Sequence, residues 1–164
     1  MSSKAVNPVI CIRSSAPDDI EPLKMIVGDN DPHLVPSFER DYHLVHVAEG
    51  LPASGHFLVA EMEHGLVGVT GYRPDAWDAR DIWWLTWLYI SPKFKRRGIA
   101  TRLFATAQQE LRELGCRKCY LDVGDVESQR AAVAFHERDG FRLEGTLLDF
   151  WASGMHHNIF GKLL

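Results

Sequence analysis

Residues 82–101 read Ile82-Trp83-Trp84-Leu85-Thr86-Trp87-Leu88-Tyr89-Ile90-Ser91-Pro92-Lys93-Phe94-Lys95-Arg96-Arg97-Gly98-Ile99-Ala100-Thr101, and this stretch decides the fold. Its first nine residues are aromatic, β-branched or apolar on both alternating faces, which predicts a central strand covered on both sides. Ser91-Pro92 ends that strand, because proline has no N–H to give to a ladder. From Gly98 the period turns helical. Ile99, Leu103, Ala107 and Leu111, with Ala100, Phe104 and Leu114, form one stripe, while Arg102, Thr106, Gln109 and Glu113 face away. Gly115 closes the helix.

Working outward, Ser14-Ser15-Ala16-Pro17-Asp18-Asp19 has the polar caps, early proline and early acids of a helix start, and predicts a helix to about Val27. A first strand precedes it near Val9–Arg13, after a loose leader at residues 1–8. Gly28–Ser54 is the least legible region, with room for a short amphipathic helix over Ser37–Ala48. Phe57–Met62 and Leu66–Tyr72 alternate around Glu63-His64-Gly65 and predict a hairpin. Downstream, Arg117–Val123 predicts a strand, Gln129–Arg138 a helix, Asp139-Gly140 a turn, and Phe141–Thr146 and Asn158–Leu163 the last strands. This succession predicts an α/β protein: a mixed sheet flanked by helices, with residues 9–164 as a single domain.

With 46% hydrophobic and 24% charged residues, the 164-residue chain has the composition of a globular protein rather than a disordered or fibrous one. The nine-residue apolar run is about half the length of a membrane-crossing helix, so no membrane association is expected. Three cysteines and no signal pattern point to a reducing, cytoplasmic setting. The net charge of −4 is uneven. Residues 91–120 carry eight Lys and Arg against two Glu, a net of +6, so the rest of the chain carries −10. One compact basic segment in an acidic protein suits a small polyanion and a cationic second partner, not a nucleic-acid backbone. The plain alternative is charge gathered on a solvated helix face.

The helix start at Lys95-Arg96-Arg97-Gly98-Ile99-Ala100-Thr101 can bind phosphate with main-chain N–H groups alone, and the basic side chains add charge-assisted donors. A helix that merely begins at glycine would look the same on this segment. No GxxxxGK followed by Ser or Thr is present, which disfavours a nucleoside-triphosphate loop, and the dinucleotide pattern GxGxxG is absent as well.

This segment resembles the acetyl-CoA signature of the GNAT N-acetyltransferase family: Gln or Arg, two residues, Gly, one residue, then Gly or Ala, after an apolar strand and proline. Lys95 stands at the family's Gln/Arg position. A second family block, N-x-x-A-x-x-F-Y-x-x-x-G-F, is matched by Gln129 through Phe141, with Gln129 for the asparagine and His136 for the tyrosine. The resemblance implies a mostly antiparallel sheet with two central parallel strands that splay to admit acetyl-CoA as co-substrate, with no metal. It implies that Leu88 and Ile90 offer backbone groups to the pantetheine arm, and that the amides of Arg97, Gly98, Ile99, Ala100 and Thr101 hold the pyrophosphate beside Lys95 and Arg96. The Ile90 N–H would polarise the thioester carbonyl, and Gln129 and Phe135 would join the cofactor-binding set. The family also makes a homodimer a reasonable expectation, although no residue in the chain fixes it.

Acetyl transfer to an amine needs a neutral nucleophile, and stripping an alkylammonium of pKa about 10.4 at neutral pH costs roughly 4–5 kcal/mol. His136, at the position of the family's acid, and Asp122, a carboxylate inside an apolar strand whose burial would raise its pKa, are the catalytic candidates. Packing of His136 against cofactor and a water-facing Asp122 are the plain alternatives, and Glu61 is a lesser base. Cys116 and Cys119 read as packing rather than metal or redox ligands. His156-His157 reads as a solvated loop, and most of Trp83, Trp84 and Trp87 as core. The leading expectation is acetylation of a small-molecule or peptide amine. The competing one, motivated by His136, is a catalytically weak acyl-CoA-binding module.

Overall fold

The computed structural model describes residues 9–47 and 55–164, so the leader at 1–8 lies outside the described residues, as does Ala48. The elements, in chain order, are β1 (Cys11–Ser14), α1 (Ile20–Asn30), α2 (Val35–Val47), β2 (His56–Met62), β3 (Gly65–Pro74), β4 (Ile82–Ile90), α3 (Ile99–Glu113), β5 (Lys118–Val123), α4 (Arg130–Arg138), β6 (Arg142–Ala152) and β7 (Met155–Leu163). One seven-stranded sheet has the order β1-β2-β3-β4-β5-β7-β6. The β4–β5 ladder is parallel, and it registers over only three pairs, Ile82↔Lys118, Trp83↔Cys119 and Trp84↔Tyr120. The β1–β2, β2–β3, β5–β7 and β6–β7 ladders are antiparallel. The expected mixed, mostly antiparallel sheet is therefore present.

The described residues divide into two compact units: 9–47 and 55–72 with Trp87–Ala107, and Arg73–Thr86 with Gln108–Leu164. In the first, Leu23, Ile26 and Val27 of α1 and Phe38 and Tyr42 of α2 pack on Phe57, Val59 and Val69 of β2 and β3, with Trp87 and Tyr89 against the cluster. Of the helix start predicted over Ser14–Asp19, Ser14 ends β1 and Pro17–Asp19 form a turn of 3-10 helix, in which the Asp19 carboxylate accepts the Ala16 N–H at 2.8 Å. Helix α1 continues three residues past Val27. Asn30 stabilises its end by donating from Nδ2 to the Ile26 carbonyl at 2.8 Å and to the Ile90 carbonyl at 3.0 Å. Trp87 takes φ +54, which breaks the regular alternation of β4, and its indole N–H donates to Asp41 at 3.2 Å.

In the second unit, Cys119, Leu121 and Val123 of β5 and Phe160 of β7 are buried on one sheet face. Lys162, also on that face, binds Gln108 of α3 at 2.6 Å and Asp139 after α4 at 3.3 Å, which places the helical segments of the unit there. Gly115 at φ +81 closes α3 as expected, with the Cys116 N–H returning to the Leu111 carbonyl at 2.9 Å.

The last hairpin is longer than its sequence predicts. Strand β6 runs on to Ala152 and β7 begins at Met155, so His156-His157 lies in a strand rather than a loop. Asp149 is the reason for the difference. It takes φ +53, donates its N–H to His156 Nδ1 at 3.0 Å and accepts the Gly154 N–H at 2.7 Å. The bulge shifts register between Leu147 and Ala152 and destroys the alternation that marks a strand.

Gly68 on β3 is closely packed against the start of α3. A Cβ there would lie 2.8 Å from Ile90 Cδ1, 3.1 Å from Leu103 Cδ1 and 3.3 Å from Ile99 Cγ2. Gly68→Val is expected to lower the unfolding free energy by about 1–3 kcal/mol, read from urea titration, by overpacking the seat of α3.

Candidate active site

The first turn of α3 is anchored on one side and open on the other. Ile99 and Leu103 are fully buried, whereas Lys95, Arg96, Arg97, Gly98 and Thr101 are exposed and Ala100 is half-buried. The first helical hydrogen bond is from Arg102 N–H to the Gly98 carbonyl at 3.1 Å, so the N–H groups of Ile99, Ala100 and Thr101 have no intrahelical acceptor. Gly98 has φ +75, and nothing lies within 4 Å of where its Cβ would be, leaving the backbone open to a ligand. Arg96 also takes a left-handed φ, +60, and the Arg97 guanidinium lies 5.2 Å from the centroid of the Phe94 ring. Exposed cations, unbonded amides and a bare glycine together give this turn the chemistry of an anion site.

The carboxyl-terminal half of β4 leads into this turn. The Ser91 N–H bonds the Val67 carbonyl of β3 at 2.8 Å, so strand alternation turns the peptide groups of Leu88 and Ile90 away from β3. The Ile90 carbonyl is taken by Asn30, a residue the sequence did not single out.

In the second unit, Asp122 is exposed rather than buried, at 46% of its side chain, so the burial expected of it is absent. It lies opposite the Leu121 face, where strand alternation leaves it beside Tyr120. His157 reaches it: Nε2 is 3.4 Å from Asp122 Oδ2, and only 14% of the imidazole is exposed. The ring stacks on Phe150 at 4.8 Å and meets the Trp151 ring edge-on at 5.4 Å. None of His157, Phe150 or Trp151 was assigned a site role from sequence. The stacking partners lie in the part of β6 that Asp149 disguises. Gln129 is the exposed N-cap of α4, with Nε2 3.2 Å from the position of a Gly124 Cβ, and Phe135 is half-buried. Asn158 donates to the Gly124 carbonyl at 2.7 Å and fixes the end of β5. Glu61, the lesser base candidate, is tied to Arg13 at 2.8 Å.

The family model described as the acetyltransferase (GNAT) family matches residues 23–141. The chain belongs to the GNAT family. It is 33% identical over 88 residues to the uncharacterized N-acetyltransferase YjgM of Escherichia coli strain K12, a match that spans 53% of this chain and 52% of that relative. Its fold is similar to a GNAT-family putative acetyltransferase of Desulfovibrio desulfuricans, with TM-score 0.85, 21% identity and coverage of 94% of this chain and 99% of the other. It also resembles an aminoglycoside 6′-N-acetyltransferase complexed with coenzyme A, with TM-score 0.78, 16% identity and coverage of 93% and 96%. The ribosomal-protein-S18-alanine N-acetyltransferase of Escherichia coli gives TM-score 0.76 at 16% identity, covering 94% of each chain.

Against the GNAT pattern, the departure that matters most is His136. It is 8% exposed, and its ring lies 5.4 Å from Phe135 and 6.1 Å from Phe141. Burial pushes its pKa down to about 4, against a smaller opposing pull from Asp139. The imidazole is therefore neutral at physiological pH. Cys116 and Cys119 are free, buried thiols whose pKa values burial raises, that of Cys119 to about 12, as fits packing. Among the described residues no helix is long and apolar enough to cross a membrane.

The folded pKa of His136 lies below its unfolded value of about 6.5, so above that pH both states are neutral and no penalty applies. Between pH 6.5 and 4 the unfolded chain takes up a proton that the folded chain refuses. Stability is expected to fall across that window by about 3 kcal/mol from this group. Equilibrium unfolding at stepped pH should show His136→Phe losing that part of the slope.

Proposed function

We propose that this protein is an N-acetyltransferase that transfers the acetyl group of acetyl-CoA to a primary amine by direct attack, with residues 9–164 acting as one catalytic domain in the cytoplasm. The observation that carries the reading is the open first turn of α3, where exposed cations flank unbonded amides and a bare glycine. The amides of Arg97, Gly98, Ile99, Ala100 and Thr101, with the charges of Lys95, Arg96 and Arg97, hold the pyrophosphate. Leu88 and Ile90 offer backbone groups to the pantetheine arm. The Ile90 N–H, turned away from β3, is the donor that polarises the thioester carbonyl, while Asn30 holds the Ile90 carbonyl in place. Gln129 and Phe135, at the start and on the inner side of α4, complete the cofactor-binding set.

The amine nitrogen forms a bond to the acetyl carbon as the carbon–sulfur bond breaks, giving an amide and coenzyme A thiol. The ammonium loses two protons in all, one before attack and one after. Asp122, exposed and 3.4 Å from His157 Nε2, receives the first, directly or through water. The other returns to the thiolate. His136 enters as a neutral imidazole, able to hold the thiol by hydrogen bonding but carrying no spare proton at neutral pH. That same property favours a second reading, a module that binds acyl-CoA and transfers slowly.

Thiol release from acetyl-CoA over a panel of amines, beside a thermal-shift titration, tests both. Acetyl-CoA is expected to raise Tm with occupancy and to outcompete adenosine nucleotides. Replacing Lys95, Arg96 and Arg97 together by Gln should raise KM for acetyl-CoA tenfold or more and flatten its dependence on salt. Stabilisation by acetyl-CoA without release from any amine would establish the binding module instead.

A further inference from the structure

The sheet face of the second unit opposite Lys162 presents an unusual strip. Tyr120, Asp122, His157 and Leu147 share it by register, since Asp122 pairs with Ile159 and Leu147 with His157. Trp84 lies against Tyr120 at 5.3 Å. At the other end Phe150 and Trp151 are 53% and 58% exposed, more than large aromatic rings on a folded surface usually tolerate. His157 joins the two ends, touching both rings and Asp122. Only the width of an imidazole therefore separates the carboxylate from the exposed rings.

The charges on this strip are few and mostly spoken for. Glu144 is bound by Lys118 at 2.7 Å, and Asp149 is occupied by the Gly154 N–H and lies near His156. Asp122 is left as the exposed carboxylate with an imidazole as its neighbour. A single negative charge beside stacked rings suits one ammonium on a short linker to an apolar ring, which gains both the carboxylate and the aromatic faces. It does not suit a polycation, which needs several carboxylates.

We propose that Asp122 receives the ammonium of a primary amine whose aromatic ring lies against Phe150 and Trp151, so that the acceptor is a short-chain aromatic amine. The inference rests on the acetyltransferase reading. Thiol release should be measured with 2-phenylethylamine and tryptamine against propylamine and spermidine, with the acetyl-CoA thermal shift and sedimentation recorded on each sample. The ring amines are expected to show kcat/KM at least tenfold above the ringless ones. Phe150→Ala with Trp151→Ala should raise their KM at least fivefold while acetyl-CoA still raises Tm, and Trp151→Phe in place of Trp151→Ala should restore most of the loss. Equal kcat/KM with and without a ring overturns this inference alone. So does a double variant that leaves KM unchanged and turns a dimer into a monomer, since the rings would then belong to a subunit interface. No release from any amine, with acetyl-CoA failing to raise Tm, overturns the acetyltransferase reading and this inference with it.

Discussion

Ile99 and Leu103 anchor the first turn of α3 against Gly68 and Ile90, and that anchoring fixes the position of the unbonded amides of Ile99, Ala100 and Thr101. Helix N-termini attract anions everywhere, but a frayed one offers a weak and moving target. Here the apolar side of the turn is buried and closely packed, so its polar side is held in one place. The glycine on β3 supports this, because a methyl group there would overlap the Ile90 terminus at 2.8 Å and press on those of Leu103 and Ile99. Gly98 serves the opposite end: it keeps the approach bare where Gly68 keeps the seat tight.

The parts of this arrangement that obey one clear period were legible in the sequence. The bounds of β4 and the closing glycine of α3 could be placed to the residue, and the stripe of α3 from Ile99 to Leu111 with them, because each element keeps one period over most of its length; Leu114, read into the stripe, falls beyond the helix and is exposed. The anion site was legible for the same reason, since it lies where two such periods meet. The β6–β7 hairpin was not. Asp149 adopts a left-handed backbone and bonds its own hairpin partners, so Phe150 and Trp151 fall out of step with Leu147 and the alternation vanishes. With the strand hidden, His157 could not be placed beside Asp122.

Asp122 and His136 show how far residue type falls short of environment. Both were singled out for proton chemistry, Asp122 on the premise of burial and His136 as an imidazole that titrates near neutrality. The structure reverses the two settings: the carboxylate stands in water at a sheet face and the imidazole is enclosed. Desolvation is a property of the packed neighbours, and in this chain those neighbours, Phe135 and Phe141, come from a helix and from the residue just before a strand. A motif records that a side chain occupies a position. It carries no record of how much solvent remains there.

Asn30 ties the end of α1 to the last carbonyl of β4 while it also closes its own helix. One amide thus serves a helix end and a strand edge at once, and shifting either element would strand a buried acceptor. This part of the protein is poorly placed to diversify. A change at Asn30 would be felt in two elements at once, whereas side chains at the exposed tip around Asp149 can be exchanged without disturbing the interior.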